Sequence, residues 1–150
     1  MKRKRLFIFC ISLLLIIILL SSLSKRPTNL GILNGRLAPA PSSPNAVSTF
    51  ASLNDEQHYI APISSSKSRV KDKETIKALL ATWPRTQLIT ETQNYLHYEC
   101  TSLVFRFVDD LEIYIDETTN LIHFRSASRV GHSDFGLNRK RVNHLKSKMY

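Results

Sequence analysis

The residues best equipped for chemistry crowd into one stretch, residues 122–145, IHFRSASRVGHSDFGLNRKRVNHL. Arg125, Ser126, Ser128, Arg129, Ser133, Asp134, Asn138 and Arg139 supply many hydrogen-bond donors within one turn region, and Asp134 is its only acid. Such a set suits an anion or a polar headgroup. Arginine offers forked donors that match phosphate or carboxylate, Gly131 and Gly136 permit close backbone approach, and a helix starting near Asn138 would turn free N–H groups outward. A structural reading competes: the serines and Asn138 close a turn, Asp134 pairs with an arginine, and residues 139–141 form a solvated helix face. An unpaired Asp134 would repel an anion. The binding version therefore places an Asp134–arginine pair inside the site.

Asp109 and Asp110, with His132, are the secondary candidates, as an acid–base set for an enzyme. Adjacent strand residues point to opposite faces, so at most one of the two aspartates joins a given site. The five histidines are dispersed, with no His-x-x-x-His spacing, and nothing in the sequence implies a metal or a cofactor. His123 and Arg125 share a strand face and read as an exposed sheet edge. A Gly-x-Ser-x-Gly elbow is absent from the sequence, and Ser133, Asp134 and His132, as neighbours in a turn, are poorly placed to form a triad. Cys10 lies in an apolar run and Cys100 is alone in the remainder, so no disulfide within the domain can form. Cys100 reads as a half-buried strand cysteine.

The elements that must position these residues follow from periodicity. Runs 86–92, 95–101, 105–116 and 121–128 are rich in β-branched and aromatic residues, with short polar breaks between them. They predict an antiparallel meander. In the third run Leu111, Ile113 and Ile115 face one way and Asp110, Glu112, Tyr114 and Asp116 the other, so one side of the sheet looks at a core. Ahead of it, Ile76, Leu79, Leu80 and Trp83 fall on one helical stripe, with Asp72 as N-cap and Pro84 as terminator. Val142, Leu145 and Met149 mark one face of a basic C-terminal helix. The fold class is α+β: a two-layer, antiparallel four- to five-stranded sheet with an amphipathic helix before it and a basic helix after it. The short run HYIAPI is the possible fifth strand.

The start of the chain belongs to no soluble core. Lys2, Arg3, Lys4 and Arg5 precede an apolar run over residues 6–20, broken only by Ser12 and extended if Leu23 is counted. That is the layout of a signal anchor or signal peptide, at the short end of what a spanning helix needs. More basic residues before the run than after it keep the N-terminus in the cytoplasm and the domain outside, on the periplasmic side in a Gram-negative cell. Cleavage near Ser24, giving a secreted domain, is the alternative. Residues 1–24 are thus the anchor or signal peptide, 25–48, rich in Pro, Gly, Asn and Ser, an extended linker or lead-in, and 49–150 the domain, with a polar break at 64–69. The net charge of +9 concentrates at the two ends. An exported domain whose aromatic residues are not interleaved with basic ones is not expected to bind nucleic acid. Lys140, Arg141, Lys146 and Lys148 could rest instead on anionic lipid.

The stretches GRLAPAPSSPNAVST, HYIAPI, FRFVDDLEIYID and IHFRSASRVGHSDFGLNRKRV together resemble the bacterial and plastid family called domain of unknown function 1499, over most of residues 35–146. The resemblance implies a small α+β domain, often exported or membrane-anchored, and implies no activity. Similar members commonly carry cysteine where Ala40 and Ala46 stand here, so a thiol or disulfide role at that motif cannot operate in this chain. The expectation is a membrane-anchored extracytoplasmic domain that binds an anionic small molecule, a lipid headgroup or an envelope protein through Arg125, Arg129, Asn138 and Arg139. An enzyme, possibly hydrolytic, and a structural interaction module are the alternatives.

Overall fold

The computed structural model describes residues 2–22, 24–65 and 68–149, and the side chains of all of these except residues 3 and 17–22. Leu23, counted above with the apolar run, and Ser66 and Lys67 of the polar break lie outside the described residues. Three helices accompany an antiparallel sheet: α1 (Lys2–Ser22), α2 (Arg69–Ala81) and α3 (Leu137–Lys148). Among the described residues no helix is long and apolar enough to cross a membrane.

The meander forms as the alternation predicts, with β5 at Thr86–Glu91, β6 at Tyr95–Thr101, β7 at Val108–Asp116 and β8 at Leu121–Ser128. The third strand starts later than its sequence suggests. Arg106 takes a left-handed φ of 57° and Phe107 N–H donates to Ser102 Oγ at 2.9 Å, so residues 102–107 form a loop instead of extending the strand.

The rest of the sheet comes from segments without apolar periodicity. Within 25–48, expected as a linker or lead-in, β1 (Ile32–Leu33) and β2 (Arg36–Leu37) make a two-stranded hairpin, and β3 (Ala46–Ser48) joins the main sheet. Asn34 and Gly35 turn the hairpin with φ of 52° and 71°, the paired left-handed conformation that Asn-Gly adopts readily. HYIAPI contributes only Ile63 to β4 (Ile63–Ser64), because Pro62 has no N–H for a ladder. β3 pairs with residues 125–127 of β8 and β4 with residues 121–122. That makes β8 an interior strand. The exposed edge expected for His123 and Arg125 is therefore wrong, and both side chains are buried.

Leu96, Leu111, Ile113, Ile122 and Phe124 of the sheet pack against Ile76 and Leu80 of α2 and Val142 and Leu145 of α3, so the helices cover one face as their stripes require. The N-cap of α2 is Ser68, not Asp72: Ser68 Oγ accepts from Lys71 N–H, while Asp72 lies inside the first turn, buried beside Ser65. Its helix stops at Ala81, short of Pro84, with Thr82 as C-cap.

Candidate functional site

Period-two alternation places Tyr95, His97 and Glu99 of β6, Asp110 and Glu112 of β7, and His123 and Arg125 of β8 on the face away from the helices. That face is not open to water. Residues 24–39 lie across it, and every charge beneath them has a partner. Arg129 donates through Nε to Asp110 Oδ2 at 2.9 Å, through Nη2 to Asp110 Oδ1 at 2.7 Å and to Glu99, and through Nη1 to the carbonyl of Ser24 at 3.2 Å. Asp110 also meets His97 Nε2 at 2.7 Å. Arg125 Nη1 donates to Glu112 Oε2 at 2.7 Å and its Nε to the Pro39 carbonyl at 3.3 Å. The second oxygen of Glu112 accepts from Tyr95 Oη and from Gly31 N–H, each at 2.8 Å. Gly31 reaches it at φ 108°, a conformation that side-chain-bearing residues avoid.

Electrostatics follow from this wiring. Burial alone would raise the Asp110 and Glu99 carboxyls, but the Arg129 bonds outweigh it, with His97 helping at Asp110 and Arg26 at Glu99, and hold both below their ordinary range. His123, stacked on Phe50 at 4.3 Å and accepting or donating at Thr49 Oγ1, is held below the usual imidazole range by burial. His97, Glu99 and Asp110 bring ligand atoms within 4.8 Å of one another, the geometry of a cation site. Arg129 supplies that positive charge itself by bridging Glu99 and Asp110, so these residues do not fit a metal.

The turn before α3 is organised differently from the expected anion site. Among the described residues Asp134 pairs with no arginine. Its Oδ1 accepts from Gly136 N–H at 2.9 Å and its Oδ2 from Asn138 N–H at 2.6 Å, so a carboxylate of the protein occupies the helix N-terminus. Asn138 is buried: its Nδ2 donates to the Asn45 carbonyl at 2.8 Å and to Ser128 Oγ at 3.0 Å, and its Oδ1 accepts from Ser126 Oγ. Arg139, expected to hold an anion or, in the structural reading, to lie on a solvated face, ties α3 to the carbonyls of Glu56, Gln57 and Tyr59 at 2.9–3.0 Å. Ser133 Oγ accepts from Phe135 N–H at 3.2 Å, and His132 is exposed. The structure therefore brings Arg129 and Asp110 into one cluster and Arg125 into a second with Glu112, both under the lead-in, and Ser126, Ser128 and Asn138 into a third beneath α3. Asp109 faces the helices and not its neighbour's side, where it accepts from Arg141 Nη2 at 2.8 Å.

Arg141 opens onto a cleft of about 540 Å³ between the end of α2, the ends of β5 and β6, and α3. Its basic side chains are Arg85, Lys140 and Arg141, with the His144 ring beside them, against Asp109, which Arg141 already holds; Trp83, Leu103 and Leu137 supply apolar walls. Cys100 lines it too, with its thiol pushed up by burial, which disfavours the nucleophilic thiolate. The sequence reading missed this cleft. Its signal was present at residues 137, 140, 141 and 144, a second stripe on α3 beside the core-facing stripe of Val142 and Leu145.

A meander backed by two helices, with a lead-in laid over its charged face, defines a compact α+β domain. By sequence it belongs to a family described as Protein of unknown function (DUF1499), whose model matches residues 36–149. No curated protein and no solved structure matches the chain.

Proposed function

We propose that this protein is a membrane-anchored domain held outside the cytoplasm, and that it binds an anionic amphiphile in the cleft at the Cys100 end of its sheet. The observation that carries the ligand class is the lining of that cleft, where Arg85, Lys140 and His144 stand beside a single carboxylate, Asp109, whose charge Arg141 already meets, and beside the apolar surfaces of Trp83, Leu103 and Leu137. A negative group with an apolar portion satisfies both kinds of wall. Arg125, Arg129 and Arg139 serve the fold instead, because their donors are spent on protein carboxylates and carbonyls.

Support for the anchor comes from the apolar run over residues 6–20 and the basic residues before it. Leu6, Phe7, Ile8, Phe9 and Leu14 of α1 are all exposed, and a helix apolar on every side is not at home in water. A reporter fused after Tyr150 is expected to be active only outside the cytoplasm, with the chain retained by membranes after carbonate washing. Recovery of a shortened soluble chain would indicate cleavage near Ser24 instead.

Melting of the full chain in a non-ionic detergent, with hexyl phosphate, inorganic phosphate and hexanol as probes, tests the ligand class. Hexyl phosphate is expected to raise the melting temperature saturably, more than either of its halves, and the Lys140→Ala, His144→Ala double variant is expected to need at least about tenfold more of it. Equal response of the variant and the parent would rule the cleft out as the site.

A further inference from the structure

The strand register aligns Thr86, Cys100, Asp109 and Ser128 in one row across the sheet, so the loop 102–107 and the turn 129–136 project from the same end. Both carry apolar side chains into solvent: Leu103 is 68% exposed, Val104 63%, Phe105 45% and Phe135 90%. Phe135 is held out in a left-handed conformation, φ 54°, by a turn bonded through Ser133 and Asp134. Leu103 and Leu137 line the same cleft, which joins the two loops into one surface. Exposed apolar side chains gathered at one end of a domain mark an interaction site.

Two observations say what covers it. Exposed Arg85, Arg106 and Lys140 belong to this end, while its acids are engaged, Asp109 with Arg141 and Asp134 at the start of α3. The surface is therefore apolar at its tips and positive around them, which suits the headgroup region of an anionic bilayer. The chain also enters the domain here. The Ser24 carbonyl accepts from Arg129, and Arg26 pairs with Glu99, each within two residues of the Thr86–Ser128 row. Only Leu23 separates Ser24 from the end of α1. An anchor leaving the bilayer through α1 thus delivers this end of the sheet to the lipid surface, and the turns 92–94 and 117–120 point away from it.

The geometry points to a membrane-docking surface, in which Phe105 and Phe135 dip into an anionic leaflet and the basic cleft opens toward the lipid. This rests on the anchored reading above, and gives the cleft its source of amphiphiles, the bilayer itself.

The test uses the full chain with Cys10→Ser and Cys100→Ser, spin-labelled through Phe105→Cys, Phe135→Cys or, at the opposite end, Gln93→Cys, and reconstituted into vesicles of phosphatidylglycerol and phosphatidylcholine. Flotation reports the anchor, and collision of the label with oxygen against a water-soluble nickel chelate reports depth. Labels at 105 and 135 are expected to favour oxygen severalfold over the label at 93, and to lose that preference in pure phosphatidylcholine or in the Arg85→Glu, Arg106→Glu, Lys140→Glu background. Vesicles that float with the chain while all three labels remain equally aqueous would overturn the docking surface and leave the anchor standing. Chains that do not float would overturn both.

Discussion

Arg129 holds one guanidinium against two carboxylates beneath a strap of its own chain, so its removal leaves Asp110, 1% exposed, as a charge with only His97 to meet it. Breaking such a pair from one side costs about 3–5 kcal/mol. Arg129→Ala is therefore expected to lower the unfolding free energy by about that amount in urea titration, and Arg125→Ala, which strands Glu112, to do the same. A small loss would mean the network is solvated and the arginines are free for a ligand. The same groups set the pH response. Glu99 and Asp110 have folded-state pKa values below their ordinary 4.5 and 3.8, so the stability they add is complete above those values and lost as pH falls through the lower, folded ones. His123 is also depressed, so its share is present above 6.5 and lost as pH falls below that. Melting temperature is expected to be flat between about pH 7 and 8, to decline gently below 6.5, and to drop steeply in acid. His123→Phe, which keeps the stack on Phe50, should erase only the gentle part. Alternation along the strand was enough to split Asp109 from Asp110; it carried no information about which partner waits on each side, because Arg129 and Arg141 arrive from a turn and a helix far along the chain.

At the scale of elements, the start of α3 separates two accounts of the turn before it. Asp134 holds the N–H groups of Gly136 and Asn138, and the helix dipole favours its charge there. Asp134→Ala is expected to destabilise the domain by about 1 kcal/mol, with Asp134→Asn less costly, and hexyl phosphate binding unchanged in both. Had Asp134 served as an arginine's partner inside an anion site, its removal would tighten binding. Regular elements were legible where periodicity is strong: β6 and β8 begin and end as their alternation indicates, and Ile76, Leu80, Val142 and Leu145 are all fully buried. Short strands β3 and β4 were not, since pieces of two or three residues are recruited by the free edge of β8 and show no pattern of their own. Ser68 was overlooked as an N-cap in favour of Asp72 because both precede the apolar stripe, and only the backbone of Ser68, at φ −136°, is non-helical.

The whole molecule inverts what a half-polar sheet usually implies. One face carries helices over an apolar core, and the other carries paired charges under residues 24–39, a segment whose prolines and small polar residues read as linker. Composition misses this because the strap contributes mostly backbone: the carbonyls of Ser24 and Pro39 and the N–H of Gly31 complete Arg129, Arg125 and Glu112, and no side-chain pattern records that. Leu37, Ile32 and Phe50 add a small apolar cluster with Tyr95 and Tyr114. The matched family region begins at residue 36 and so omits the strap up to residue 35. If residues 24–35 are part of the fold, a chain starting at Ser24 should be more stable than one starting at Arg36. The difference is expected to be about 3 kcal/mol, the worth of two hydrogen bonds to charged groups; Arg26, half-exposed in its pair with Glu99, adds little. Water can enter and solvate Glu112 and Arg129 once the strap is gone, which keeps the loss below that of deleting either charge. Urea midpoints of the two chains measure it directly. Equal midpoints would mean that the charged face is held without residues 24–35, and that these only carry the chain from α1 to the sheet.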